Sequence, residues 1–349
     1  FAARMSGPGN PARPPIRLEL MRSATLTTLS LLPFFSACGA ETQANVDPLQ
    51  PPLGLESAQL ELNDDNPLTA AKAALGKKLF FDHRLSKSGT MGCVNCHHVD
   101  KAFSDGLQLS VKDSGGKNKR NSPTMYNVGY YPELYWDGRK VGLESNVLAA
   151  WTGQLGGVPA DVATTLNGVE EYKAEFQAAF QKDADEETIV YALASFLRTL
   201  RSGNSDYDKK TLSDDAKAGQ ALFSGKAGCA TCHVPGLFID KAYHNVGIGM
   251  NAETPDIGRA KPSKDESKTG AFKTPTLRDV AKTAPYFHDG SVATLKEAVK
   301  LMASGGIDNK WKDGLMIDRN LSDKEIDQLV AFLEALTGDV PFTEPTLPK

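Results

Sequence analysis

Cys93-Val94-Asn95-Cys96-His97 and Cys229-Ala230-Thr231-Cys232-His233 are the two strings on which the reading of this chain turns. Each has the spacing CxxCH, and together they use four of the five cysteines. In such a string the two thiols can form thioethers with the vinyl groups of a haem, and the adjacent histidine becomes the proximal iron ligand. The three-residue step from Cys to Cys puts both sulfurs at one edge of the ring, with the His turned beneath it. A zinc or redox CxxC beside an unrelated histidine is the bland alternative. Two occurrences in duplicated frames favour haem. We therefore expect two haem c groups, one on Cys93, Cys96 and His97, the other on Cys229, Cys232 and His233.

The surroundings of the two strings repeat each other. Gly76-x-x-Leu79-Phe80 before the first is echoed by Gly219-x-x-Leu222-Phe223 before the second. Ser122-Pro123-Thr124 with Val128 matches Thr274-Pro275-Thr276 with Val280, and Asp137-Gly138 and Asp289-Gly290 stand at equal distances behind the two prolines. A gene duplication accounts for this, and it lets one site be compared with the other. Met302 lies 27 residues after Pro275, and the same offset from Pro123 falls on Ala150, which cannot coordinate. A methionine at helical spacing is usually core packing. The comparison instead points to His233/Met302 ligation for the second haem, low-spin and suited to electron transfer, and to an open distal side on the His97 haem.

Apolar residues recur at helical spacing and no run alternates at strand period, so an all-α fold of two helical domains is expected. Leu68, Ala71, Leu75 and Leu79 mark a helix opening at Asn66-Pro67. Val169, Tyr172, Phe176 and Phe180 mark another, and Ile189, Leu193, Phe196, Leu197 and Leu200 a third. A further helix opens at Ser213, and the last runs from the capping box at Ser322 to Gly338. Residues 1–39 read as upstream sequence plus an export signal, with Met21-Arg22 ahead of a short apolar run and Ser36-Ala37-Cys38-Gly39 resembling a lipobox. That places the protein in the periplasm, attached to the membrane by lipid on Cys38. An ordinary cleaved signal with an incidental cysteine is the other reading. Residues 40–66 are Pro-, Gln- and Asp-rich and read as a linker, followed by domains at 67–208 and 209–340 and a tail at 341–349. A net charge of −4 supplies no basic face for nucleic acid.

Three longer strings carry a resemblance: Arg120-Asn121-Ser122-Pro123-Thr124, Tyr135-Trp136-Asp137-Gly138-Arg139, and Thr274-Pro275-Thr276-Leu277-Arg278 running on to Ala284-Pro285-Tyr286-Phe287-His288-Asp289-Gly290. On these, residues 67–340 resemble the bacterial dihaem cytochrome c peroxidases and the related MauG-type enzymes. The resemblance implies a peroxide-reacting haem in the N-terminal domain and an electron-transferring haem in the C-terminal one. It implies a calcium ion held by the Asn121 side chain and the carbonyls of Thr283 and Pro285, and it places Trp136 between the haems. A homodimer is an option that relatives commonly take. Arg278 and Arg259 are candidate partners for the haem propionates, because a buried carboxylate needs a paired cation.

Three departures from the family pattern bear on function. No histidine occurs between His98 and His233, so the loop histidine that caps the resting first haem in classical members is missing, and Asp113 stands in its place. No distal glutamate is evident: ungapped counting from Trp136 lands on Gly156 and a small shift on Gln154. Asn146 replaces the family's glutamine and Ala150 its proline, with Trp151 added. Gln154 can hydrogen-bond peroxide but cannot shuttle a proton, so Glu144 enters as a substitute acid, against a structural role on the same helix. Three functions stay open. One is reduction of hydrogen peroxide with electrons from a small cytochrome c or cupredoxin. The second is MauG-like oxidation of a protein side chain through a high-valent two-haem state. The third is a non-catalytic dihaem electron carrier.

Overall fold

Helix α1 spans Ala70–Phe81 and is capped by Thr69, whose side chain accepts a hydrogen bond from the Lys72 amide, in the computed structural model, which describes residues 49–349. The expected start at Asn66-Pro67 is three residues early. Asn66 is fully buried and its side chain is engaged elsewhere, accepting from Lys72 Nζ at 3.1 Å and donating to Glu144 at 2.9 Å, which leaves Thr69 to cap. The first half continues with α2 (Leu143–Gln154), α3 (Pro159–Asn167), α4 (Glu170–Phe180) and α5 (Glu186–Thr199). After α6 (Asp206–Lys209), the second half holds α7 (Asp214–Ser224), α8 (Ala260–Ser263), α9 (Leu295–Ala303) and α10 (Asp323–Glu334). Helix α10 stops before the expected Gly338, whose amide donates to Asp279 at 3.1 Å instead of continuing the helix.

Strand structure among the described residues is limited to two antiparallel pairs, β1 (Glu133–Leu134) with β2 (Lys140–Val141) and β3 (Tyr243–His244) with β4 (Phe272–Lys273). The two pairs meet each other, Tyr243 Oη donating to Glu133 at 2.7 Å and Lys273 Nζ to Glu133 O at 3.1 Å. The repeat read from sequence reappears as a shared crossing. Helix α1 lies across α5 at Gly76, where a Cβ would come within 1.8 Å of the Ala192 carbonyl oxygen. In the second half α7 lies across α10 at Gly219, where a Cβ would come within 1.9 Å of the Gln328 carbonyl oxygen. Only glycine permits helices to approach so closely. Each half has its own apolar cluster, one built on Leu79, Phe80, Leu193 and Phe196, the other on Phe223, Phe238, Leu329 and Phe332.

The segments expected as a linker and a tail are not loose where they are described. Leu55 is 1% exposed, Glu61 N donates to Gly129 O at 2.8 Å, and Arg198 Nε donates to Glu61 O at 3.0 Å. Composition suggested a tether because the stretch has few apolar residues, but Leu55 and backbone pairing suffice to hold it across both halves. The final residues fold back on the first half, where Phe342 joins its apolar cluster and Arg84 donates to Pro348 O at 2.6 Å. The export signal and Cys38 lie outside the described residues. No helix among those described is long and apolar enough to cross a membrane.

Candidate functional site: two histidine-floored pockets

Each CxxCH string forms a single 3₁₀ turn, Cys93–Asn95 in the first half and Cys229–Thr231 in the second, which delivers the histidine into a pocket. His97 Nδ1 lies 2.7 Å from Phe103 O, and His233 Nδ1 lies 3.0 Å from Phe238 O. A carbonyl only accepts, so Nδ1 carries the proton and Nε2 keeps its lone pair. Burial is the main influence on both imidazoles and pushes them below their usual pKa, with the carbonyl bonds opposing. Neutral imidazoles with a free Nε2 are what an iron ligand requires.

Burial pushes the Cys93 thiol up to about 12, and those of Cys96 and Cys229 up to about 11. Among the described residues the one trio with metal-ligand spacing is Cys232, Asp240 and His244. Both nitrogens of His244 are already taken, Nδ1 by Asp313 at 2.6 Å and Nε2 by Asp240 at 2.8 Å. The two carboxylates hold the ring from both sides, so it offers no lone pair to a metal. Asp313 stands 69 positions from His244 in the chain, so the two meet only in the fold.

The pocket above His97 is walled by α2, which presents Asn146, Ala150, Trp151 and Gln154. Trp151 is 1% exposed and its Nε1 donates to Leu85 O at 2.8 Å, so the indole is a fixed part of the wall. Of the two positions considered for the missing distal acid, Gln154 lines the pocket and Gly156 does not. Asp113 does not line it either. Its amide donates to Gln154 O at 3.0 Å and its carboxylate accepts from Ser88 N at 3.1 Å, pinning the end of α2.

Glu144 is corrected from a candidate acid to a structural residue. Its carboxylate accepts from Arg198 at 2.6 and 3.1 Å and from Asn66 at 2.9 Å, outside the His97 pocket. Burial opposes ionisation, but Arg198 and Asn66 outweigh it and keep the carboxyl below its usual range. A group so committed cannot cycle a proton near neutral pH. Glu144→Gln should therefore cost about 3 kcal/mol of stability by stranding the Arg198 charge, measured by urea unfolding, while the rate of reaction with peroxide in stopped flow stays unchanged. A slowed reaction at full occupancy of folded protein would return Glu144 to the chemistry.

The second pocket, about 260 Å³, lies where the halves meet and is lined by Cys229, Cys232, His233 and Met302, with Trp136 and Asn121 reaching in from the first half. Thr283 and Pro285 line it as well, so the fold brings Asn121 together with both. Trp136 Nε1 donates to Asn121 O at 2.9 Å, and Asn121 Nδ2 donates to Leu107 O at 2.8 Å, which leaves the Asn121 side-chain oxygen as a donor atom for a cation.

Arg278 is corrected too. It is fully buried, with Nη1 and Nη2 on Asp208 at 2.7 and 2.9 Å and Nε on Gly236 O at 2.7 Å, and it lines neither pocket. Arg259 also lies outside both linings, bonded to Glu133 at 2.8 Å and to the carbonyls of Asp137 and Gly138. Arg319 lines the second pocket, and so does a second cation that sequence reading missed, Lys273. Its Nζ sits 3.1 Å from Glu133 O and 3.7 Å from the centre of the Tyr131 ring, and burial pulls its pKa down to about 7. An anionic group bound in the pocket would restore its charge. No periodicity marks a lysine of this kind.

Comparison with known proteins agrees with this geometry. The family described as di-haem cytochrome c peroxidase matches residues 70–217, and the family described as cytochrome c matches residues 216–337. The chain is 37% identical over 298 residues to the methylamine utilization protein MauG of Methylophilus methylotrophus, covering 81% of this chain and 88% of the relative. It is 34% identical over 354 residues to the cytochrome-c peroxidase IdrP1 of Denitromonas iodatirespirans, covering 90% and 94%. Among solved structures, a MauG-like protein associated with microbial copper homeostasis superposes with a TM-score of 0.76 at 31% identity, covering 80% of this chain and 93% of that one.

Proposed function

This chain belongs to the di-haem cytochrome c peroxidase/MauG family of haem oxidoreductases, and we propose that it is a periplasmic peroxidase that reduces hydrogen peroxide with electrons from a small cytochrome c or cupredoxin. The observation that carries the reading is the inequality of the two pockets. Met302 shares a pocket with His233, whereas the α2 wall of the His97 pocket offers Asn146, Ala150, Trp151 and Gln154, none of them a usual iron ligand; Met125, the one thioether lining that pocket, stands two residues after Pro123 as Leu277 stands two after Pro275, a position that carries no ligand in the second half. Each bound haem supplies a redox-active iron. In this reading Cys93, Cys96, His97, Cys229, Cys232 and His233 attach and ligate the two groups, and Met302 closes the second.

The net reaction takes two electrons and two protons to turn one peroxide into two waters. Gln154 orients peroxide by hydrogen bonding, Trp151 keeps the wall apolar, and solvent brings the protons that no carboxylate in this pocket carries. Trp136, hydrogen-bonded to the Asn121 carbonyl at the junction of the halves, is the bridge for electrons from the Met302 side. The Asn121 side-chain oxygen and the carbonyls of Thr283 and Pro285 form the neutral oxygen set of a calcium ion, completed by water.

A proton-transferring group contributes about 10²–10⁴-fold to such steps. Gln154→Glu is accordingly expected to accelerate the peroxide reaction by at least about tenfold, followed as the Soret change after mixing. No acceleration would mean that Gln154 is not beside the bound peroxide. The missing histidine cap supports a second reading, MauG-like oxidation of a protein side chain. The two part on one measurement. Multiple turnovers of peroxide with reduced cytochrome c mark the peroxidase, and a peroxide-dependent spectral change that this donor fails to reverse marks the alternative. A spectrum that ignores peroxide would leave the dihaem electron carrier.

A further inference from the structure

The carbonyls that fix the two histidines belong to Phe103, at φ 57°, and Phe238, at φ 56°. Bulky residues avoid this left-handed region, and such a turn persists only when its surroundings hold it. The rings are what is held. Phe103 packs against Phe80 at 5.9 Å, and Phe238 packs against Phe223 at 5.9 Å, each from its own half and equivalent in the repeat.

Tyr126, 5.3 Å from Phe103, and Phe332, 6.2 Å from Phe238, add support from the same half, and each ring is also packed by a segment leaving the opposite half. Phe342, ten residues beyond Phe332 of α10, sets its ring edge-on to Phe103 at 5.3 Å and reaches Phe196 of α5 at 6.4 Å. Tyr207, eleven residues beyond Phe196, sets its ring edge-on to Phe238 at 5.4 Å and to Phe332 at 5.8 Å. Both arms are anchored. Lys77 Nζ stands 4.4 Å from the centre of the Phe342 ring, and the Tyr207 amide donates to Ala335 O at 3.2 Å. The segment leaving the last helix of each half thus crosses over and closes the aromatic cluster behind the other half's histidine.

We propose that these exit segments form a reciprocal clamp, in which Phe342 is a positioning residue for His97 and Tyr207 for His233. Each proximal ligand is then set in part by the half that carries the other one, a mechanical link between two sites that share no ligand. The inference rests on both histidines ligating haem, as read above.

The test uses the full-length protein with both haems, counted by pyridine haemochrome. Phe342→Ala should alter the ferric high-spin EPR signal of the His97 haem and shift its redox equilibrium at least tenfold, about 59 mV for one electron, with the His/Met haem unmoved. Tyr207→Ala should do the converse, and Phe342→Tyr should restore the native signal. If Phe342→Ala does not accumulate, Phe342→Leu fills the volume without the aromatic edge and is read in the same way. Signals of the His97 haem that stay native, or equal changes at both haems, overturn the clamp. A wild-type protein holding one haem would refute the haem reading itself, so the two failures are told apart.

Discussion

Met302→Ala should convert the second haem from low-spin to high-spin and cut cytochrome-c-dependent peroxide turnover by more than about 100-fold. Changes in the outer shell of a metal site already cost 10–100-fold, and this one removes a ligand. Met302 sits on α9 (Leu295–Ala303) and shares the junction pocket with His233, so under the proposed ligation deleting its sulfur would leave the iron with one protein ligand. A thioether raises the potential of haem iron, and without it electrons from a donor would stall before Trp136. The first haem should still respond to peroxide in the diferric protein, because its pocket is built from α2 and the His97 turn. EPR and the thioether-to-iron charge-transfer band report the ligand, and steady-state assays report the turnover. A variant that keeps the low-spin His/Met spectrum would show that another residue ligates.

The second large effect is on stability. Arg278 and Asp208 are 0% and 1% exposed at their side chains and joined at 2.7 Å, and the same guanidinium reaches Gly236 O and, at 3.4 Å, Gly54 O. It thereby ties α6, the loop behind His233 and the N-terminal strap together at one point. Asp208→Ala strands that charge in the interior, at a cost of about 3–5 kcal/mol, and should lower the melting temperature by roughly 10 °C. Removing the exposed Lys182–Glu187 pair should leave melting unchanged, because solvent already screens it. Burial disfavours the Asp208 carboxylate, but Arg278 outweighs it, so the folded pKa lies below the unfolded one. The pair's stabilisation is therefore complete above about pH 4, the ordinary range of an aspartate, and is lost as pH falls through the depressed folded value. An Asp208→Ala protein with native melting and an unaltered acid limb would contradict this account.

The haem motifs, the duplication and the helical class were legible because each depends on local spacing. Thioether attachment needs its cysteines and histidine within five consecutive residues, and amphipathic helices announce themselves by period. The repeat also carried real spatial information: Gly76 and Gly219 meet equivalent carbonyls on α5 and α10. What sequence could not rank was competition among polar side chains for partners. Glu144 looked like a spare acid and Arg278 like a spare cation, and each is saturated by a residue more than 50 positions away. Asn66 failed as a helix cap for the same reason.

Sequence alone therefore settled the chemistry of attachment and the number of sites, since covalent motifs and helical period are written in neighbouring residues. Tertiary structure alone decided which groups remain available for function. It put Gln154 rather than Gly156 on the pocket wall, set half-buried Lys273 at the junction, and sent Phe342 and Tyr207 across to the opposite halves. The physical reason is that a buried polar or aromatic group takes its role from what packs against it, and those partners come from segments far apart in the chain.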